Sequence, residues 1–200
     1  MGQMTETQAP PKRSVSAGGV FLGFAPWIIF TIVAGPSTWE YAALAALAAS
    51  LVLSGRDILQ GHLNLLDMTG IVFFAVISVL ALALDHHELI WLETYAQVLA
   101  NAVVALVALG SLFFDPFTAQ YARRATPPSV WDSPVFKHIN MVLTTVWGGV
   151  FVVIAVLGLL AILVPSLDDW FNWVVPIVLL ACTVKFTEHY PESYKAKALA

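Results

Sequence analysis

The chain has 200 residues, of which 59% are hydrophobic and only 11% charged, with a mean hydropathy of +0.81 and a formal charge of −4. A soluble domain carries roughly 25% charged residues, and a disordered chain combines low hydrophobicity with high charge, so both classes are excluded. What remains is a polytopic membrane protein, in which the placement of charge matters more than its total.

Residues 1–18, MGQMTETQAPPKRSVSAG, form a polar tail that is expected to be disordered. A helix needs about 20 apolar residues to cross the roughly 30 Å hydrocarbon core, and shorter runs are tolerated when tilted or covered by neighbours. Six such runs follow the tail. The first, Val20 to Ala34, comes after Lys12 and Arg13 and imitates a secretory signal peptide. Pro26 interrupts it and another span follows at once, so it is read as an uncleaved helix. Gly35-Pro36 marks a tight turn before the second run, Tyr41 to Leu53. The third run is Leu63 to Leu84, ending at the polar Asp85-His86-His87-Glu88, and the fourth is Leu89 to Phe114. A loop over 115–133 leads to the fifth, Pro134 to Val164, which stops before Pro165. The sixth, Trp170 to Phe186, precedes a charged stub over 189–200. These runs lack the alternation of a membrane barrel and are about twice as long as its strands. The expected fold is therefore all-α, with six transmembrane helices in three consecutive hairpins.

Charge sets the expected orientation. With the tail, the 54–62 loop, the 115–133 loop and the C-terminus on one side, that side holds Lys12, Arg13, Arg56, Arg123, Arg124, Lys137, Lys185, Lys195 and Lys197, which are all 9 Lys and Arg residues of the chain. The other side holds Glu40, Asp85, Glu88, Glu93, Asp168 and Asp169. The positive-inside rule then places both termini in the cytoplasm, for a multi-pass protein of the plasma membrane. Trp39, Trp91, Trp170 and Trp173 fall at the outer ends, as an aromatic belt requires.

In lipid, small residues four apart mark helix contacts. Gly19 and Gly23 form such a row on the first span, Ala42, Ala46, Ser50 and Ser54 on the second, and Asn140, Thr144 and Gly148 on the fifth. On the fourth span Glu93, Gln97, Asn101, Ala105, Ala108 and Ser111 trace one polar or small face. Asn101 lies about 18 Å from the helix start, near the bilayer centre. Polar groups at that depth face the bundle interior or a wet cavity. Two accounts stay open: Gln97 and Asn101 act as interhelical glue, or Glu93, Gln97, Asn101 and Ser111 line a solute pathway. Asp67, about one turn inside the third span, is expected to reach the cytoplasmic interface.

No catalytic motif appears: there is no GxSxG, P-loop, GxGxxG or paired catalytic carboxylates. Asp85-His86-His87-Glu88 has no recognised zinc spacing and reads as a solvated loop, while His62, His138 and His189 are scattered. The single Cys182 excludes an internal disulfide and reads as a small buried hydrophobe. No enzyme activity, cofactor, metal or nucleic-acid partner is expected. The inner loop, DPFTAQYARRATPPSVWDS, carries the other candidates. Asp115 can cap a short helix opened by Pro116, with Phe117 and Tyr121 on one face and Arg123-Arg124 near its end. Such a segment suits the headgroup region, its aromatics dipping and its arginines meeting anionic lipid. With Trp131, these residues form a docking surface for lipid or a partner protein, or else the loop only fixes orientation. Ser133 and Pro134 start a fifth helix of some 31 residues, about 46 Å, whose first turns with Lys137 and His138 must protrude or lie oblique.

Val130-Trp131 in TPPSVWDS, Asn140 to Trp147 in INMVLTTVWGGVF, Trp170 to Trp173 in DWFNW and His189-Tyr190-Pro191 occupy positions similar to those of the intracellular septation protein A family of bacterial inner-membrane proteins. The likeness spreads over most of residues 20 to 191 through short motifs, and this chain resembles a divergent member. The resemblance implies a plasma-membrane protein connected with septation and envelope integrity. It carries no catalytic residues across. The expected partners are membrane lipids, division or envelope proteins and further copies of the chain. The rival expectation is a small-solute or ion transporter or channel. It ranks second because only the fourth span shows a polar stripe, whereas a pathway needs polar residues on facing helices.

Overall fold

A computed structural model describes residues 17–33, 38–84 and 86–198. The tail up to residue 16, the Gly35-Pro36 turn and Asp85 lie outside the described residues. Those described contain helices and no strand. In chain order they are α1 (Ala17–Val33), α2 (Trp39–Gln60), α3 (Leu65–Ala83), α4 (His86–Ser111), α5 (Phe117–Ala125), α6 (Pro134–Leu163) and α7 (Val175–Ala198), the last preceded by a π-helical turn over Trp170–Val174. Short 3₁₀ turns, Pro128–Val130 and Pro165–Leu167, flank α6.

Five of these segments, in α2, α3, α4, α6 and the α7 unit from Trp170, are long and apolar enough to cross a membrane, which fits a multi-pass membrane protein. Their outward residues, such as Val52, Val72, Val79, Leu82 and Leu106, are large, apolar and exposed, as a bilayer solvent allows. The 17 described residues of α1 form a shorter helix that continues through Pro26.

Several boundaries depart from the sequence expectation for identifiable reasons. Helix α2 runs two turns past Leu53, because no proline lies between Ser54 and Gln60 and the single Gly55 is carried within the helix. It stops where Gly61 takes φ 69°, a left-handed conformation that glycine adopts without strain, and the N–H groups of Gly61 and His62 return to the carbonyls of Ile58 and Asp57. The His86-His87-Glu88 segment is helical backbone at the start of α4 rather than loop, since no glycine or proline separates it from Leu89; its side chains lie outside the described residues. At the other end α7 continues to Ala198 through Pro191, so the expected stub is helical. Helix α6 starts and stops where the sequence places it: the Ser133 hydroxyl accepts from the Phe136 N–H at 3.2 Å, Pro134 opens the first turn, and the helix ends just before Pro165.

The most extensive packing is between α4 and α6, followed by α1 with α2 and α2 with α3, so the main contacts do not follow consecutive pairs alone. Two of the three small-residue rows lie in these contacts, while Gly23 of the first faces Tyr121 of α5. Ala42, Ala46, Ser50 and Ser54 are all buried, as are Asn140, Thr144 and Gly148. A side chain at Gly148 would overlap Leu109 of α4, which explains how closely the α4 and α6 backbones approach. Between α1 and α3 the core is aromatic, with Trp27, Phe30 and Phe74 at ring distances of 4.9 to 5.4 Å. Trp39 is buried in this core, not part of an outer belt, whereas Trp91 and Trp170 are exposed at that same end. Cys182, expected to be buried, is exposed on the outer face of α7.

Candidate functional site

Two regions gather the candidate residues. At the end of the bundle that holds the described Lys and Arg residues, α5 is tied to four other helices. The Ser111 hydroxyl, at the last residue of α4, accepts the Phe117 N–H at 3.0 Å and so supplies a partner at the start of α5. Asp115 does not cap this helix. Pro116 holds the N-cap position without a side-chain bond, and Asp115 instead accepts both Arg123 Nη atoms at 2.6 and 2.7 Å. Against α6, the Thr118 hydroxyl donates to the Asn140 carbonyl at 2.9 Å and lies 2.8 Å from Thr144 Oγ1. Against α3, Gln120 Oε1 accepts the Leu65 N–H at 2.7 Å, and the Tyr121 hydroxyl donates to Asp67 Oδ1 at 3.0 Å while Asn64 donates to Oδ2 at 2.7 Å. Arg124 bonds Asp57 of α2 at 2.6 Å and the His62 carbonyl at 2.9 Å.

This anchoring reverses part of the sequence expectation. Phe117 and Tyr121 do not dip into a headgroup layer; they are buried at 1% and 7% exposure. Phe117 meets Phe24 edge to face, and Tyr121 occupies the space left by the missing side chain of Gly23. An aromatic face on a nine-residue helix can turn toward lipid or toward the bundle, and the half-buried Asp67 carboxylate favours the bundle by offering the phenol an acceptor. Among the described residues at this end, the exposed aromatics are Phe113 and Phe114, at 86% and 92% exposure in the turn after α4. Trp131 packs at the rim, its indole N–H on the Thr126 carbonyl at 3.1 Å and the Arg123 guanidinium 5.9 Å from its ring centre. Burial, reinforced by the negative Asp67, pushes the Tyr121 phenol above its ordinary value, and the hydrogen bonds that Arg123 donates to Asp115 raise its own. The beginning of α6 and the end of α7 extend together here, with His138 stacked on Tyr194 at 4.6 Å and its Nε2 3.2 Å from the Tyr190 hydroxyl.

The second region is a cavity of about 220 Å³ between α1, α4, α6 and α7. Gln97 and Asn101 line it, with Asn101 Nδ2 donating to the Gln97 carbonyl at 2.8 Å. The rest of the stripe goes elsewhere. Ala105 and Ala108 are buried, Ser111 serves α5, and the side chain of Glu93 lies outside the described residues. Asn172, which sequence reasoning missed inside the aromatic DWFNW run, also lines the cavity, its Nδ2 donating to Asp168 Oδ1 at 2.7 Å. Its placement depends on the π turn. Pro176 has no N–H to give the Asn172 carbonyl and its ring crowds that oxygen, so the backbone widens there, with the Val175 N–H reaching back to Trp170. Pro176 was the available signal. Toward the basic end the cavity is bounded by Phe24 stacked on Trp147 at 4.7 Å, and the Trp147 indole donates to Thr187 Oγ1 at 3.0 Å.

Among the described residues, no group of three or more His, Cys, Asp or Glu side chains is placed to hold a metal ion. No protein-family model, curated protein or solved structure matches the chain.

Proposed function

We propose that the chain is a non-enzymatic protein of a bacterial plasma membrane that crosses it six times, with α1 as the sixth span and both termini cytoplasmic. In this reading it supports envelope integrity or septation by holding lipids and partner proteins at its cytoplasmic face. The charge asymmetry of the sequence supports the orientation, since six spans would put all 9 Lys and Arg residues on one side. The likeness to the septation protein A family supports the biological setting. The observation that carries the docking reading is the exposed Phe113-Phe114 pair, followed by Asp115, whose ion pair with Arg123 links this turn to Trp131 on a surface that α5 holds in place. Exposed aromatics on a preorganised surface lose little conformational freedom on binding and suit both headgroups and a protein partner.

The test is detergent-free extraction in native lipid, with mass spectrometry of every co-purifying protein and lipid, for the unmodified chain and for Phe113→Ser/Phe114→Ser/Trp131→Ala. Envelope or division proteins, or a defined lipid class, should accompany the unmodified chain and be lost from the variant. Identical profiles for the two would overturn the docking reading. A second reading, a small-solute or ion transporter or channel, has one observation in its favour: Asn172 supplies a polar group from another segment to the cavity that Gln97 and Asn101 line. It requires flux in proteoliposomes that Gln97→Leu/Asn101→Leu abolishes; absence of flux with the unmodified chain would refute it.

A further inference from the structure

The cavity between α1, α4, α6 and α7 has a chemistry that neither docking at the basic end nor passage of an ion uses. Its walls are aromatic, formed by Phe24, Trp27, Trp147, Phe151 and Trp173. Its polar members are the primary amides of Gln97, Asn101 and Asn172 together with the Thr31 hydroxyl, and among the described residues no charged side chain lines it, the nearest carboxylate being that of Asp168, which accepts the Asn172 amide N–H at 2.7 Å. The Asn172 amide oxygen and Val98 of α4 both lie against Gly158 of α6, which brings α4 and the Asn172 turn together at this end of the cavity. Ile28 of α1 and Ile177 of α7 line the cavity and yet are 41% and 59% exposed, so the space opens between these two helices toward the lipid side.

Each feature narrows the occupant. A dry cavity of about 150 Å³ holds benzene, so 220 Å³ fits one ring with its substituents and is too small for a whole phospholipid. Amides offer both donors and acceptors but no charge, and a buried ion without a counter-charge is strongly disfavoured. An uncharged ring bearing carbonyl or hydroxyl oxygens satisfies both conditions, with its faces against the aromatic walls and its oxygens at the amides. The opening between α1 and α7 would let an alkyl tail remain in the bilayer. The π turn that aims Asn172 is a kind of distortion frequent at functional sites.

We propose that this cavity binds an uncharged, oxygen-bearing aromatic or quinonoid ring, taken up laterally from the membrane. Such a ring has two sources, a tailed lipid-borne head group or a free small molecule, and the probes separate them. The assay uses the full chain in lipid nanodiscs, with tetramethyl-1,4-benzoquinone and its trimethyl-decyl analogue. Both are fully substituted and leave the exposed Cys182 unalkylated. Quenching of tryptophan fluorescence reads contact with Trp27, Trp147 and Trp173, and a rise in melting temperature reads binding to the folded state. The unmodified chain should show saturable quenching and a dose-dependent thermal shift with at least one probe. Tighter binding of the decyl analogue, corrected for its partition into lipid, assigns a lipid-borne ligand; equal or tighter binding of the tailless ring assigns a free one. Asn101→Leu/Asn172→Leu, which removes two hydrogen-bonding groups, should weaken binding about tenfold, and Ile154→Trp should fill the space and abolish it. Quenching that rises linearly without saturation, and no thermal shift in the unmodified chain, would overturn the proposal whether or not the variants fold. Co-purification at Phe113-Phe114 tests another surface, so either result can fail without the other.

Discussion

Replacing Tyr121 with phenylalanine removes a single hydroxyl from the junction of α5 and α3. The ring keeps its slot beside Gly23, and what is lost is the 3.0 Å bond to Asp67 Oδ1. A hydrogen bond to a charged group contributes about 1.5–3 kcal/mol, and at 7% exposure water cannot readily take the phenol's place. Asn64 still holds the other carboxylate oxygen at 2.7 Å, which puts the cost at the lower end. About 1.5 kcal/mol corresponds to roughly a tenfold rise in the population in which α5 is detached. Hydrogen exchange in nanodiscs reads this directly: amides of Phe117–Ala125 should exchange about tenfold faster in Tyr121→Phe, with those in the α4–α6 contact unchanged. The pH dependence supplies an internal check. The folded-state phenol titrates above its ordinary value of about 10 because burial and Asp67 oppose the phenolate. The native state therefore holds this proton more tightly than the unfolded state. The resulting stability is fully present below about pH 10 and is lost as pH rises beyond it. Tyr121→Phe should lack that component of the alkaline destabilisation. Unchanged exchange over Phe117–Ala125, together with an identical alkaline limb in the two proteins, would refute the assignment of α5 anchoring to this bond.

Two further perturbations probe other links. Arg124 and Asp57 join α5 to α2 with side chains 44% and 24% exposed; a double-mutant cycle with Arg124→Ala and Asp57→Ala should give a coupling below about 1 kcal/mol that shrinks as salt is added, and a larger, salt-independent coupling would show the pair to be effectively buried. Gly148→Ala should lower thermal stability by about 1–3 kcal/mol through overlap with Leu109. The companion Leu109→Ala should recover part of that loss, and additive destabilisation would show that the two residues do not limit the α4–α6 approach.

Lipid tails are as apolar as leucine, and this explains where sequence reasoning succeeded and where it stopped. Hydropathy adds along the chain, so the apolar runs that became α2, α3, α4, α6 and α7 were legible, as were local signals such as Ser133-Pro134 and Pro165. The four-residue rows Ala42 to Ser54 and Asn140 to Gly148 were legible too, because close backbone approach demands small side chains regardless of what surrounds them. An aromatic residue, however, satisfies the bilayer and the bundle core equally well. Trp39, Phe117 and Tyr121 thus looked suited to the membrane interface, and their burial depended on partners elsewhere in the chain: the α2 contacts, Phe24 and Asp67. Exchange of roles within the 111–117 segment had the same origin. Ser111 looked like part of a polar stripe until the α4–α5 turn brought the Phe117 N–H onto it, while Phe113 and Phe114 were left facing outward. The sequence by itself determined the all-α membrane class, the apolar segments and the clustering of basic residues, all properties that sum along one dimension. Tertiary structure alone decided which face of α5 turns inward and that Asn172 lines one cavity with Gln97 and Asn101, because both depend on groups far apart in the chain meeting in space.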